Sequence, residues 1–305
     1  MSDHALVIGE ALVDAVHSAD GTITRHPGGS PANVALGLAR LERDAELLTW
    51  LGDDADGALV RDHLRSSGVT LSPGSLDAEA TSVATATLDA SGAATYEFSL
   101  VWDLAANPMP RLSPTIVHTG SIAAVLEPGA SAVLSTVESA RDTATITYDP
   151  NARPSLMGDP AEARIAVERM VRLADVVKAS DEDVAWLAPG EEIADVAEAW
   201  LALGAALVIV TRGSEGATAW STEGEVDVRA PRVDVADTVG AGDSFMAGLI
   251  DGLWSEGVLG AKHRGALQSM DLDTVSAILE RCVSIAAVTC SRPGANPPTR
   301  DELDG

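Results

Sequence analysis

Aromatic side chains are scarce in this chain: Phe, Trp and Tyr together make up 3% of its 305 residues. The hydrophobic fraction is nonetheless 46%, so a substantial core must be filled mainly by Ala, Val and Leu. Basic side chains are also few. Lys and Arg number 20 against 46 Asp and Glu, a net charge of −26 at pH 7. Such a surface repels nucleic acid and anionic lipid, which carry the same sign, and argues against both as partners. It also repels a nucleotide at long range, so a nucleotide site needs local compensation from backbone N–H groups, metal ions or a few basic side chains. Only two cysteines occur, Cys282 and Cys290. Their spacing fits neither a CxxC redox pair nor a zinc knuckle, which leaves two small packing thiols. The six histidines show no metal-ligand spacing. No uncharged stretch is long enough to cross a bilayer. The first apolar run, Ala5 to Ile8, ends at Gly9-Glu10, too early for a secretion signal. These absences predict a soluble protein in a reducing cytoplasm.

The apolar pattern predicts a short buried strand at Ala5–Ile8. Ala11–Val16 and Thr22–Arg25 flank the turn Ser18-Ala19-Asp20-Gly21 and read as a hairpin. A second hairpin is expected where Ser82–Leu88 and Ala94–Leu100 flank Asp89-Ala90-Ser91-Gly92. Between them, Ser30 suits an N-cap and Pro31 a first helical position, for a helix over about Ala32 to Leu41. From Ile116 onward the chain alternates. Strands are predicted at Ile116–His118, Ala144–Tyr148, Val176–Lys178 and Ala206–Val210, with helices near Ala130–Ala140, Pro160–Leu173 and Ile193–Leu203. That alternation predicts βαβ units and a mostly parallel sheet covered on both faces. The two hairpins fall outside it and are expected to form a small satellite β-sheet lid, about 11–25 and 82–100. No repeat, low-complexity run or linker divides the chain, so residues 1–305 are expected as one domain.

The strongest chemical signal is Asp237-Thr238-Val239-Gly240-Ala241-Gly242-Asp243-Ser244-Phe245. Phe245, Met246, Leu249, Ile250 and Leu253 follow with helical spacing, so Gly240, Ala241 and Gly242 open a helix. Small residues there leave successive N–H groups bare, and with the helix dipole they form an anion site. Asp243 lies in the same turn. A carboxylate beside an anion site either accepts a proton from an attacking hydroxyl or caps the helix.

Asp237–Asp243 resembles the C-terminal signature of the ribokinase-like (PfkB-type) carbohydrate kinases, where the final Asp is the catalytic base and Gly-Ala-Gly the anion hole. Gly28-Gly29-Ser30-Pro31-Ala32-Asn33-Val34-Ala35 resembles their N-terminal glycine-rich signature, which approaches the sugar. Gly9-Glu10-Ala11-Leu12-Val13-Asp14 resembles the opening strand, whose Asp binds sugar hydroxyls. The motifs occur in family order from residue 5 to about 303. The resemblance implies a three-layer α/β/α ribokinase-like fold, and roles for Asp243 as base, Gly240, Ala241 and Gly242 as anion hole, and Asp14, Gly28, Gly29 and Asn33 as sugar contacts. Thr211-Arg212-Gly213-Ser214-Glu215-Gly216 resembles the nucleotide-binding turn, assigning Thr211, Gly213, Ser214 and Gly216 to ATP. Lys178 and Ser180 are assigned to ATP as well. They stand with Asp183 where many relatives carry an Asn-x-x-Glu motif linked to Mg2+, and this chain departs from it. Lys178 either supplies local positive charge or is a snorkelling surface lysine.

Tyr148-Asp149-Pro150-Asn151-Ala152-Arg153 resembles an Asp-x-Asn-x-Arg segment of the fructokinase and 2-keto-3-deoxygluconate kinase branches. Arg153 either faces the substrate or bridges surface carboxylates. The tail Thr289–Thr299 resembles the family's monovalent-cation loop and is most similar to fructokinases. It maps a K+ site onto Asp237, Val239, Thr289, Arg292 and Gly294, with Pro298 where ribokinases have a serine ligand. Tyr96 and Phe98 share a face of the second hairpin. With Trp102 they either close over the sugar or pack the lid on itself.

The expected function is therefore ATP-dependent phosphorylation of a primary hydroxyl with Mg2+, most similar to conversion of D-fructose to fructose 6-phosphate. 2-Keto-3-deoxygluconate kinase, ribokinase and nucleoside kinase are the alternatives within the family. A catalytically inactive sugar-binding regulator is the alternative of another class, against which the intact Asp243 argues. A dinucleotide oxidoreductase is disfavoured because no GxGxxG follows the first strand. The expected partners are a small-molecule sugar, ATP and a second copy of the chain through the lid.

Overall fold

The computed structural model describes residues 3–18, 21–88, 94–104 and 110–305. Two sheets form. The large one takes β1 (Ala5–Ile8), β4 (Ala45–Leu48), β5 (Thr70–Leu71), β8 (Ile116–Gly120), β9 (Thr145–Asp149), β10 (Val176–Ser180), β11 (Leu207–Thr211), β12 (Ala217–Ser221) and β13 (Gly224–Val228). Its order is β13-β12-β11-β10-β9-β8-β1-β4-β5. All pairings are parallel except those of β12, which runs antiparallel to β11 and β13. The antiparallel β12–β13 edge was not foreseen in the sequence. β1 lies between β4 and β8, and the chain runs away from it in both directions, so the carboxyl ends of β1 and β8 flank the switch point of the sheet. In open α/β sheets that crevice is where ligands bind.

The small sheet contains β2 (Leu12–His17), β3 (Ile23–Gly28), β6 (Val83–Leu88) and β7 (Ala94–Ser99), ordered β3-β2-β6-β7. The two expected hairpins are present, joined by parallel pairing of β2 with β6. Most of the two hairpin turns, residues 19–20 and 89–93, lies outside the described residues.

Alternation along the buried strands divides the core in two. Ala5 and Val7 of β1 face the helices Ser30–Arg40, Ala241–Ser255 and Leu272–Cys290, while Leu6 and Ile8 face Gly129–Ala140, Pro160–Val171 and Ile193–Leu203. With few aromatics available, the first group packs through small residues. A Cβ on Gly37 would come within 2.7 Å of Ala247, one on Gly248 within 2.8 Å of Ile285, and one on Gly252 within 2.7 Å of Ile278. These contacts bring the helix backbones close and set the amino ends of Ser30–Arg40 and Ala241–Ser255 side by side.

Candidate active site

Asp243 is buried in the first turn of the Ala241–Ser255 helix. Its Oδ1 accepts from Ser30 Oγ at 2.7 Å, and its Oδ2 accepts from Asn33 Nδ2 at 2.8 Å. Asn151 Nδ2 donates to Ser30 Oγ at 2.7 Å and reaches Asp243 Oδ1 at 3.5 Å. Burial raises the Asp243 carboxyl above its ordinary range, and donation by Ser30 and Asn33 with the charges of Lys178 and Arg153 opposes that rise. The helix has no side-chain cap, and its N-cap is Gly240 in the left-handed region at φ 75°. Asp243 is therefore not a cap. A Cβ on Gly240 would stand 2.6 Å from the Ala295 Cβ, so both conformation and space require glycine there.

Ser30 departs from its expected position. It is the first helical residue rather than the N-cap, which is Gly29 at φ 106°. The reason is chemical: its hydroxyl donates to Asp243 and so does not return to its own helix.

Lys178 is no surface lysine. It is 3% exposed, with Nζ 2.9 Å from Asp149 Oδ2. Burial alone would lower the ammonium, but Asp149 and Asp183 overcome this and raise it. Nζ also lies 3.1 Å from where a Gly242 Cβ would stand, so a fixed positive charge backs the Gly240–Gly242 turn. Deeper in the sheet, burial followed by the charge of Lys178 pushes His118 down to about 3. His118 is thus neutral, with Nδ1 3.0 Å from Thr147 Oγ1 and no hydrogen-bond partner on Nε2 among the described residues.

Ser180 and Asp183 form a capping box on the Asp181–Leu187 helix. Asp183 Oδ2 accepts from Ser180 N and Oγ, both at 2.7 Å, and Oδ1 accepts from Ala152 N at 2.6 Å. Oδ1 of Asp183 therefore ties the loop after β9 to this helix, while Oδ2 completes the capping box.

A cavity of about 770 Å³ joins these groups. Asp14, Phe98, Arg153, Asp243, Gly242, Thr211, Gly213 and Ser214 all line it. Gly28 and Gly29 make room for neighbouring protein groups. A Cβ on Gly28 would stand 2.1 Å from Asp14 Oδ2, and one on Gly29 would stand 2.4 Å from the Glu10 carbonyl oxygen. Burial raises the Asp14 carboxyl, opposed by the charges of His26 and Arg153. Arg153 Nη1 donates to Asn151 Oδ1 at 2.6 Å and to the Asn151 and Ala152 carbonyls. It thus lines the cavity, and among the described residues it makes no surface carboxylate bridge of the kind considered from sequence. The Tyr96 side chain lies outside the described residues. Trp102 does not close over the cavity: it is buried in the second core and donates from Nε1 to the Ala123 carbonyl at 3.0 Å.

A second cavity of about 710 Å³ shares Thr211, Gly213, Ser214, Thr238 and Gly242 with the first. Gly216 lies on this one, with an apolar wall from Val233, Val235, Phe245, Val283, Ala286 and Ala287. Sequence reading missed it, because its wall joins a coil segment to the outer face of a late helix.

The two loops expected to ligate a monovalent cation meet. Asp237 Oδ1 accepts from Val239 N at 3.0 Å, and Oδ2 accepts from Gly294 N at 2.9 Å. The Thr289 carbonyl accepts from Arg292 N at 3.1 Å, and the Arg292 side chain pairs with Glu302 at 2.8 Å. Ser30, Asn151, Asp149 and Glu10 also belong to the assembly. No site role followed for them from sequence, although each was in or beside a quoted motif.

Comparison with known proteins agrees with this architecture. A family model described as pfkB family carbohydrate kinase matches residues 2–302. A fructokinase of Klebsiella pneumoniae is 34% identical over 267 residues, 85% of this chain and 87% of that protein. A fructokinase of Escherichia coli is 31% identical over 100% of this chain and 99% of its own. Among solved structures, a fructokinase from Xylella fastidiosa with bound ATP superposes with a TM-score of 0.84 at 23% identity, covering 99% of this chain and 97% of that one. An aminoimidazole riboside kinase from Salmonella enterica, complexed with its riboside and an ATP analogue, superposes with a TM-score of 0.78 at 26% identity, covering 99% of both chains.

Proposed function

Because this chain belongs to the pfkB family of carbohydrate kinases, we propose that it transfers the γ-phosphoryl group of ATP to the primary hydroxyl of D-fructose, giving fructose 6-phosphate. The observation that carries this reading is the position of Asp243. Its buried carboxylate lines one cavity with Asp14 and with Gly240 and Gly242 of the bare turn. The fructokinase relatives support the choice of sugar.

In this reading the sugar lies between the small sheet and β1, with Asp14, Arg153 and Asn33 holding its hydroxyls and Phe98 over it. The small sheet acts as a lid. The base of ATP occupies the apolar second cavity, and its phosphates pass Ser214 to the N–H groups at Gly240–Gly242. Asp243 takes the proton of the attacking hydroxyl, while those N–H groups, the helix dipole and Lys178 stabilise charge on the phosphoryl group in transfer. Ser30, Asn33 and Asn151 keep the base ionised and aimed.

Mg2+ needs only one or two carboxylates beside substrate phosphates and waters. Asp181 and Glu182, which line the cavity, fit that need, and the ion would neutralise phosphate charge. K+ fits the carbonyl-bearing loops that Asp237 holds together. A homodimer through the small sheet belongs to the same proposal.

The test is turnover of ATP with fructose, ribose, glucose, adenosine, aminoimidazole riboside and 2-keto-3-deoxygluconate. Fructose should give the highest kcat/KM. A preference for the keto acid or a riboside would move the assignment within the family, and no turnover with any of them would overturn it.

A further inference from the structure

Glu10 follows β1 and Ser121 follows β8, so the two stand on either side of the switch-point crevice. Both line the main cavity. Glu10 is 6% exposed, and its Oε2 has no hydrogen-bond partner among the described residues. Its side chain lies within reach of the Ser121 hydroxyl and of its own backbone N–H, both of which favour the ionised form. Ser121 is one of the few non-glycine residues in the left-handed region, at φ 54°. Such strain costs free energy and persists where the surroundings hold it for a purpose. Here it turns the serine toward the carboxylate. A buried carboxylate with one oxygen oriented and the other unpaired loses solvation without recovering it. A ligand hydroxyl in the cavity recovers it.

We propose that Glu10, oriented by Ser121, is a further sugar-binding residue, whose free Oε2 accepts a hydrogen bond from a sugar hydroxyl other than the one phosphorylated. The inference rests on the reading of this cavity as a sugar site. Asp243 already takes the reacting hydroxyl, and Asp14 approaches from β2, so Glu10 adds a third acceptor on the β1 side. The charged groups that face it are Arg153 from the loop after β9, which favours its ionised form, and Asp243 from the Ala241–Ser255 helix, which opposes it. Asp14 and Lys178 line the same cavity. Burial raises the Glu10 carboxyl to about 7, against the Ser121 hydroxyl. Sugar binding therefore tightens as pH rises through neutrality, because the ionised form is the stronger acceptor.

The experiment measures fructose and ATP kinetics for wild type and Glu10→Gln between pH 5.5 and 8.5, with monodeoxy-fructoses as probes. A charged acceptor contributes about 10- to 100-fold in affinity. Fructose KM should rise by about that factor in Glu10→Gln at pH 8, kcat should fall by less, and ATP KM should hold. The neutral-pH inflection of fructose KM should vanish in the variant. For the monodeoxy-fructose that lacks the contacted hydroxyl, wild type and variant should converge. If the wild type phosphorylates fructose and Glu10→Gln leaves fructose KM and its pH profile unchanged, the inference is overturned while the kinase reading stands. If the wild type phosphorylates no sugar, both fall. Should Glu10→Gln not fold, Ser121→Gly carries the test, since glycine suits the positive φ and removes the hydroxyl together with its methylene. An unchanged fructose KM in that variant would overturn the proposal.

Discussion

Lys178 Nζ lies 2.9 Å from Asp149 Oδ2, on neighbouring strands β10 and β9, with both side chains removed from solvent. Removing one partner of a buried pair leaves the other charge uncompensated, which costs about 3–5 kcal/mol. Lys178→Met should lower the unfolding free energy by about that amount and also reduce kcat. Adding Asp149→Asn removes the stranded carboxylate, so the double variant should regain most of the stability without regaining kcat. Denaturant unfolding beside steady-state kinetics separates the two effects. Recovery of kcat in the double variant would show that the ammonium serves the fold alone.

Asp243→Asn should lower kcat by a factor on the order of 10²–10⁴, with a smaller change in fructose KM. The base must be ionised to accept a proton. Since burial raises its carboxyl above the ordinary 3.8, the acid limb of kcat in the wild type should lie above that value and disappear from the residual activity of the variant. A folded Asp243→Asn that keeps most of its kcat would remove the base from the mechanism.

The alternating fold and the Asp237–Asp243 turn were legible in the sequence because their signals are local. Apolar runs and helical spacing state which segments pair or pack, and small residues ahead of an amphipathic helix mark where that helix opens. The antiparallel β12–β13 edge went unread because β13, Gly224–Val228, is mostly exposed and carries two acidic residues. The hydrogen-bond partners of Asp243 were harder still. Ser30 is 213 positions away and Asn151 is 92, and their side chains have ordinary local uses as a cap and a turn residue. Trp102 looked like a lid aromatic by proximity to β7. Gly129, on which a Cβ would stand 2.3 Å from the indole, opens the space that takes it into the core instead.

Potassium should raise the rate over sodium or choline at matched ionic strength, and the effect should depend on the clip that Asp237 makes between its own loop and Gly294. Asp237→Ala should erase the difference between salts and slow the enzyme in all three, since the Gly240–Gly242 turn follows directly. Equal rates in the three salts for the wild type would discard the cation site, with Pro298 the departure to inspect first.

His118 should limit stability in acid. Burial depresses it from 6.5 to about 3, so its contribution is complete above pH 6.5 and is lost as pH falls toward 3, at up to about 1.4 kcal/mol per pH unit. Glu10 acts in the opposite sense: raised from 4.5 to about 7, it favours the fold increasingly as pH drops between those values. The two largely cancel near pH 5.5, and His118 stands alone of the pair below 4.5. His118→Asn should therefore unfold less steeply than wild type between pH 4.5 and 3 in urea titrations. Parallel curves would show that other groups dominate acid unfolding.

Gly28 and Asp14 should behave as one unit. Asp14→Asn removes a charged acceptor for hydroxyls that do not react, an interaction common to ground and transition states, so fructose KM should rise while kcat changes little. Loss of such a bond costs about 1.5–3 kcal/mol, or about a 10- to 100-fold rise in KM. Gly28→Ala should reach the same phenotype from a distance. Gly28 needs no left-handed conformation, but the added Cβ would stand 2.1 Å from Asp14 Oδ2 and 3.2 Å from Leu12 Cδ1. The carboxylate must swing away from its present position, whereas the backbone tolerates alanine. Combining Gly28→Ala with Asp14→Asn should therefore raise KM little beyond Asp14→Asn alone, because the methyl group acts through an acceptor already lost. Additive effects would mean that Gly28 approaches the sugar directly, and the reading of the glycine pair as room for Asp14 and the Glu10 carbonyl would fail.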